Sequence, residues 1–184
     1  MRRHDDSADA AISDDPYTLA LAALAATPAA LDALLERLPD DLWEWSPAPG
    51  EWSAHQILTH LLHIETAVIP VRVRQMIERD GAPLTPGGEP AVAPPPAETL
   101  RAWRHARERN LAFLSGLTPE QLAQSGEHPE FGRISAREHI IEWAYHDLEH
   151  LRQLQATVEA RLYPDIGAFR RLYRPPYPPS EQSR

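Results

Sequence analysis

The chain has 184 residues, of which 42% are hydrophobic and 24% are charged, and these values are typical of a single globular domain with a substantial core. Its formal net charge of −9 argues against a nucleic-acid-binding protein, because such proteins normally present a basic face. The sequence contains no cysteine, which excludes disulfides, thiolate metal sites and a cysteine nucleophile, so a transition-metal site would need His, Asp or Glu ligands.

The N-terminal segment, "MRRHDDSADAAISD", is polar and acidic. Residues 1–14 are therefore predicted to form a disordered tail, and they lack the apolar stretch of a signal peptide. Elsewhere, no uninterrupted run approaches the length of about 18 apolar residues that indicates a membrane span. We therefore expect a cytoplasmic protein without a membrane partner.

The first predicted helix begins at a proline signal. Asp15 is typical of an N-cap and Pro16 of the first helical position, ahead of the apolar run "YTLALAALAA". Thr27 and Pro28 repeat the signal before "AALDALLERL", so the helix is expected to be kinked or restarted there. It should end near Leu38, before the polar residues that follow.

The second predicted helix begins after a capping box formed by Ser53 and Gln56. Its apolar residues recur with helical spacing, and Pro70 should bend it. The sequence that follows, "GAPLTPGGEPAVAPPPAE", is too rich in proline and glycine for regular structure. Its length predicts a mobile loop, and residues 80–96 are a candidate lid for a nearby site.

Two further helices are predicted in the second half of the chain. One covers about residues 97–116, and a short additional turn follows at Thr118. Ser135 and Glu138 form another capping box, which opens a long helix over about residues 136–160. The apolar stripe of this last helix consists of Ile140, Ile141, Ala144, Leu148, Leu151 and Leu154.

These four long helices predict an all-α fold. No stretch alternates convincingly between apolar and polar residues with the period of a β-strand. Because the helices carry so much apolar surface, a helix bundle is expected over residues 15–162. Residues 163–184 form a Pro-rich C-terminal extension, whose last part, "RPPYPPSEQSR", is predicted to be extended and solvated.

Two histidines in the last helix have the spacing of metal ligands. In "EWAYHDLEHLRQL", residues 142–154, His146 and His150 are four residues apart and project from the same helical face. The nine histidines of the chain would give roughly 0.4 such pairs by chance, so the spacing needs a third ligand to be persuasive. His60 lies on the interior stripe of the second helix. It is either a neutral core histidine hydrogen-bonded to a neighbour or a ligand that meets the pair across the bundle.

At these residues the sequence resembles the DinB-like superfamily. "APGEWSAHQILTHLLHIE" is similar to the second-helix signature of that family, a Trp-Ser-x-x-Gln segment followed by a helical His-Leu. "HDLEHLRQL" is similar to its fourth-helix signature, His-x-x-x-His-x-x-Gln-Leu. "GLTPEQL" and the front segment "ATPAALDALLERLPDDLWEWSPAPGEWS" also fit, so the resemblance spans about residues 16–160.

The resemblance implies an up-and-down four-helix bundle that holds a divalent metal, and it makes His60, His146 and His150 the ligands. Family members with assigned chemistry resemble transferases and isomerases that use low-molecular-weight thiols such as bacillithiol or mycothiol, and members are frequently homodimers. Zinc and nickel are the favoured ions, although imidazole also suits copper and iron. His63 stands where the family often has an acidic residue.

Physical chemistry supports such a site, because three neutral imidazoles leave the ion its full charge and at least one open coordination position. A centre of this kind can lower the pKa of a bound thiol or water and so create a nucleophile at neutral pH. Residues one turn from the predicted ligands could take part in the chemistry of the site. Glu142 is either a candidate catalytic group or an exposed charge, and His63 is either a candidate catalytic group or a surface histidine. His139 and Trp143 are candidates to line a cofactor pocket, or else part of a partly buried rim.

Two other metal-enzyme classes are excluded. A zincin protease needs Glu directly after its first histidine, where this chain has Asp147, and a ferritin-like di-iron site needs two Glu-x-x-His motifs. Two hypotheses remain. The first is a metal-dependent enzyme that acts on a small-molecule substrate through a thiol or water. The second is a non-catalytic, stress-related metal-binding bundle, whose closed site would recruit His63 or Glu142 as a fourth ligand.

Overall fold

The computed structural model describes residues 15–90, 92 and 94–177, and these residues form an all-α four-helix bundle, which confirms the predicted fold class. The tail predicted for residues 1–14 and the end of the C-terminal extension lie outside the described residues. The helices are α1 (Pro16–Leu35), α2 (Ala54–His63), α3 (Ile69–Glu78), α4 (Pro96–Leu114), the short α5 (Pro119–Ala123) and α6 (Ala136–Leu162). Short 3₁₀ turns occur at Asp40–Leu42, Tyr163–Asp165 and Gly167–Arg171.

The predicted helix starts are present as capping interactions. The side chain of Asp15 accepts hydrogen bonds from the first backbone N–H groups of α1. Ser53 and Gln56 form a reciprocal capping box at the start of α2, and Ser135 and Glu138 form another at the start of α6. These side chains satisfy backbone donors that a helix N-terminus otherwise leaves unpaired, so local sequence fixes where both ligand-bearing helices begin.

Helix α1 differs from its prediction in two respects: it continues through Pro28 without a restart, and it ends at Leu35 rather than near Leu38. It is also long and apolar enough to cross a membrane by length and composition, with a mean hydropathy of 1.7. A core helix of a soluble protein passes the same test. Here Ala20, Leu24 and Leu31 of α1 are buried against the other helices of the bundle.

The second long helix is interrupted by a π-helical turn at Ile64–Val68, between α2 and α3. Pro70 lies in the first turn of α3, and its ring nitrogen has no N–H to donate to the preceding turn. The wider turn accommodates this missing hydrogen bond and turns the side chain of Glu65 into the bundle, where it is 1% exposed. The predicted bend at Pro70 is therefore a change of helix type.

A small sheet was not predicted. Strand β1 (Ala82–Pro83) pairs in parallel with β2 (Ser125–His128), and β2 pairs in antiparallel with β3 (Gly132–Ser135). The strands are too short and polar to show an alternating pattern. The sheet corrects the expectation that residues 80–96 lack regular structure, since β1 and the buried Leu84 attach the start of this segment to the bundle.

The arrangement of the helices places the two halves of the candidate site side by side. In the described structure α1 packs mainly against α4 and α6, and the second long helix also packs against α4 and α6. The bundle is as predicted, but the predicted up-and-down order is wrong, because consecutive long helices would then be neighbours. Helices α2 and α6 are therefore neighbours, although most of the sequence between them belongs to other elements. This contact brings the histidines of α2 to those of α6.

The core consists of two apolar clusters with a buried ionic network between them. One cluster contains Trp143 and the other contains Trp103, and the guanidinium of Arg107 lies 5.3 Å and 4.8 Å from these two rings. Arg107 pairs with Glu65 at 2.6 Å and with Asp147 at 2.7 Å, and all three side chains are at most 1% exposed. The stripe predicted for α6 was wrong at Leu148, which is 51% exposed, because α6 buries polar side chains instead.

Candidate metal centre

Three histidines converge at the contact between α2 and α6. The Nε2 atom of His146 lies 3.0 Å from Nε2 of His60 and 3.2 Å from Nε2 of His150. Metal–nitrogen bonds of about 2.0–2.1 Å in a tetrahedral site place ligand nitrogens about 3.3 Å apart. These two separations therefore have nearly the spacing that one ion requires, and the ligand atoms of all three histidines lie within 4.8 Å of one another. Within the described ranges, no fourth His, Asp or Glu joins this cluster.

The surroundings of the cluster keep its imidazoles neutral and oriented. Burial, followed by the charges of His150 and His146, lowers the pKa of His60 from 6.5 to about 4. Burial also lowers the pKa of His146 and of His150. Nδ1 of His150 lies 2.6 Å from Oε1 of Gln153, which can only accept a hydrogen bond, so the proton is on Nδ1 and the Nε2 lone pair faces the cluster. These are the properties of metal ligands.

A large cleft opens beside His60. Its volume is about 1060 Å³, and its lining includes Trp52, His60, His63, Arg72, Gly87 and His128. Trp52 borders the cluster directly: its ring centroid lies 5.1 Å from that of His60 and 6.0 Å from that of His150, with which it is stacked. Its side chain remains 41% exposed. The centre thus has an apolar edge at the mouth of the cleft.

The predicted lid segment crosses this cleft. Nε2 of His63 lies 2.8 Å from the carbonyl oxygen of Gly87 and donates a hydrogen bond to it. The backbone N–H of Thr85 donates to Gln75, and the carbonyl oxygen of Thr85 accepts from Arg72. His63, a candidate catalytic residue and possible fourth ligand, therefore uses one ring nitrogen to hold the segment.

The other candidate residues lie one or two turns before His146. Glu142 is half-exposed, with its carboxylate 3.3 Å from Nδ1 of His139. Although desolvation raises the pKa of Glu142, the hydrogen bond with His139 and the positive charge of Arg72 outweigh it and lower the pKa, so the group is ionised at neutral pH. His139 is 5% exposed and lines a second pocket of about 330 Å³ beside the cleft.

Trp143 is placed differently from the expectation that it lines a cofactor pocket. Its side chain is fully buried in the apolar core, and it borders neither the cleft nor the second pocket. The reason is helical geometry: Trp143 faces the interior, where its ring approaches the guanidinium of Arg107. Its neighbour Glu142 faces the second pocket.

Several residues around the site were missed from the sequence. Trp52, in the loop before α2, stacks on the ring of His150. His128 lies in the cleft because β2 and the turn after it place it there, and no spacing in the sequence indicates this position. Asp147 follows His146 directly, and only the bundle shows that it faces Arg107.

The comparisons with known proteins agree with this architecture. A family model described as the DinB superfamily matches residues 23–154. YfiT from Bacillus subtilis, described as "a probable metal-dependent hydrolase with an unusual four-helix bundle topology", superimposes with a TM-score of 0.69 at 18% identity, covering 85% of this chain and 90% of its own. TT2238, described as a four-helix bundle protein, gives a TM-score of 0.58 at 25% identity, covering 76% and 98%. No match was found among the curated proteins.

Proposed function

The chain belongs to the DinB superfamily, and from that premise we propose that it is a metal-dependent enzyme in which His60, His146 and His150 hold one divalent ion. The observation that carries the proposal is the convergence of three Nε2 atoms beside a cleft of about 1060 Å³. Such a cleft is large enough for a small-molecule substrate. The description of YfiT as a probable metal-dependent hydrolase agrees with this class of function.

The chemistry follows from what each residue of the site can do. A divalent ion on three neutral imidazoles would supply positive charge that lowers the pKa of a coordinated thiol or water. Gln153 holds His150 in the tautomer that presents Nε2. Glu142 is ionised at neutral pH and is positioned to accept a proton or orient a polar substrate group near the centre. The family resemblance favours a low-molecular-weight thiol, and therefore a thiol-dependent transferase, over direct hydrolysis.

The alternative is a non-catalytic bundle with a structural metal. Structural zinc sites are usually closed by four protein ligands. The two candidates for a fourth ligand are otherwise engaged: His63 bonds to Gly87, and Glu142 pairs with His139. The three-histidine arrangement beside an open cleft therefore supports the catalytic reading.

The test is a spectroscopic titration of the Co²⁺-substituted protein with small thiols. The account predicts that a thiol will add a sulfur-to-cobalt charge-transfer band and change the d–d bands, with an apparent thiol pKa below that of the free thiol. His60→Ala should abolish both changes, whereas His105→Ala, which alters an exposed histidine of α4, should leave them intact. If no thiol perturbs the spectrum while water-exchange relaxation shows a bound solvent molecule, the hydrolytic form of the proposal is favoured. If neither thiol nor water reaches the ion, the structural alternative is correct.

A further inference from the structure

The cleft contains a buried cation that no acidic side chain neutralises. Arg72, on α3, is 8% exposed and lines both the cleft and the second pocket. In the described part of the chain, no carboxylate lies within ion-pair distance of its guanidinium. A buried arginine without an acidic partner is costly, because hydrogen bonds to neutral groups offset only part of the desolvation of its charge. A desolvated charge that lines a cleft is a candidate binding site for a ligand of opposite charge.

The side chain of Arg72 is held in place by neutral groups. Its Nε donates to the carbonyl oxygen of Thr85 at 3.0 Å, and its Nη1 lies 3.0 Å from Nε2 of His128. Its Nη2 lies beside Gly87, where a Cβ would be 3.8 Å away, and makes no hydrogen bond to the described residues. The guanidinium is therefore fixed on two sides and offers donors on the third, a geometry suited to a carboxylate.

The acidic side chains near Arg72 leave its Nη2 atom free to bind a ligand. The nearest acidic groups, Glu142 and Glu130, are close enough to act on Arg72 electrostatically, but neither forms a hydrogen bond to it. Glu142 is turned instead toward His139, and its charge also acts on His146. Arg72 and His60 line the same cleft of about 1060 Å³, so one ligand in this cleft can reach both Arg72 and the metal centre.

From these contacts we propose that Arg72 is the anion subsite of the cleft, and that the small molecule bound at the metal centre carries a carboxylate held by Arg72. This inference rests on the proposed function and deepens it by naming the substrate class. The metal-binding atom and the carboxylate occupy opposite ends of the same ligand. Gly87 keeps the approach open because it presents no side chain between His63 and Arg72.

The test uses ω-mercaptocarboxylates of increasing chain length, each paired with the ω-mercaptoalcohol of equal length, titrated into the Co²⁺-substituted protein. Both members of a pair offer the same thiol, and only one offers an anion. At the chain length that spans the site, the carboxylate should bind roughly 10- to 100-fold more tightly, as expected for hydrogen bonds to a charged group. Arg72→Gln should remove this preference while leaving the cobalt content and the affinity for the alcohol unchanged.

Arg74→Gln is the matched control, because it makes the same charge change on an exposed residue of α3 that packs on Phe113 away from the cleft. Retention of the preference in Arg74→Gln and its loss in Arg72→Gln would establish the subsite. Equal weakening of both ligand types in Arg72→Gln would show that Arg72 only supports the segment at Thr85, which overturns the inference. Thiols that bind without any carboxylate preference at any length would also overturn it and leave the proposed function intact. Thiols that fail to bind at all would overturn the inference together with the thiol-dependent form of the proposed function, and would leave its hydrolytic form standing.

Discussion

Replacement of Arg107 by methionine should severely destabilise the protein, because Arg107 is the only cation in its buried network with Glu65 and Asp147 in the described structure. Arg107 donates two hydrogen bonds to Glu65, at 2.9 and 2.6 Å, one to Asp147 at 2.7 Å and one to the carbonyl oxygen of Leu24 at 3.0 Å. Although desolvation lowers the pKa of Arg107, the hydrogen bonds and charges of Glu65 and Asp147 raise it further. Methionine would fill much of the same space and leave two buried carboxylates without a counter-charge.

The expected magnitude follows from the burial of all three groups. Removing one partner of a buried ion pair costs about 3–5 kcal/mol. A domain of this size loses about 2–4 °C of melting temperature per kcal/mol, so Arg107→Met should melt roughly 6–20 °C lower. The matched control is Arg104→Met on the same helix. Arg104 is 30% exposed and pairs with Asp32 and Glu36 at the surface, and such pairs contribute about 1 kcal/mol or less.

The stability of both variants is measured by thermal unfolding and by urea unfolding, each monitored by circular dichroism. If Arg107→Met proves too unstable to purify, Asp147→Asn provides the measurement. Asparagine keeps an acceptor for Arg107, and Glu65 still balances its charge, so the loss should be about 1–3 kcal/mol. The reasoning is refuted if Arg107→Met costs no more than Arg104→Met, or if Asp147→Asn costs nothing.

Three further predictions concern the site and the assembly. Gln153→Ala should weaken metal binding about 10- to 100-fold, as measured by chelator competition, because it removes the hydrogen bond that keeps the proton of His150 on Nδ1. Gln155→Ala, which alters an exposed residue of the same helix, should leave the affinity unchanged. Equal affinities in the two variants would exclude this role of Gln153. In the metal-free protein, the unfolded chain binds more protons than the folded chain between the pKa of about 4 of folded His60 and its ordinary value of 6.5. Acidification through this window should therefore lower the urea midpoint of the wild type more than that of His60→Gln, and parallel curves would contradict the assignment. We also expect a homodimer formed through helix contacts, which multi-angle light scattering would disprove by giving a monomer mass at micromolar concentration.

The features that could be predicted from the sequence are those set by local spacing. Capping boxes at Ser53 and Ser135 mark helix starts, because both members of each box are three residues apart. His146 and His150 share a face for the same reason, and the family motif adds His60. The structure brings these three nitrogens together, while their occupation by a metal stays a prediction.

The features that could not be predicted depend on contacts between distant segments. Arg107 and Asn110 of α4 both bond to Glu65, which is some 40 residues earlier, and nothing in the spacing of these residues indicates the network. The sheet has the same origin, since β1 and β2 are held by backbone hydrogen bonds and show no apolar alternation. His128 reaches the cleft only because this sheet forms.

Metal content measured by elemental analysis tests the central claim most directly. Protein purified without chelators should contain close to one divalent ion per chain, and His60→Ala, His146→Ala and His150→Ala should each reduce this to background. His128→Ala, which alters a cleft histidine outside the cluster, should retain the full amount. Full metal content in any of the three ligand variants, or a wild-type protein that binds no divalent ion when supplied with zinc or nickel, would contradict the account.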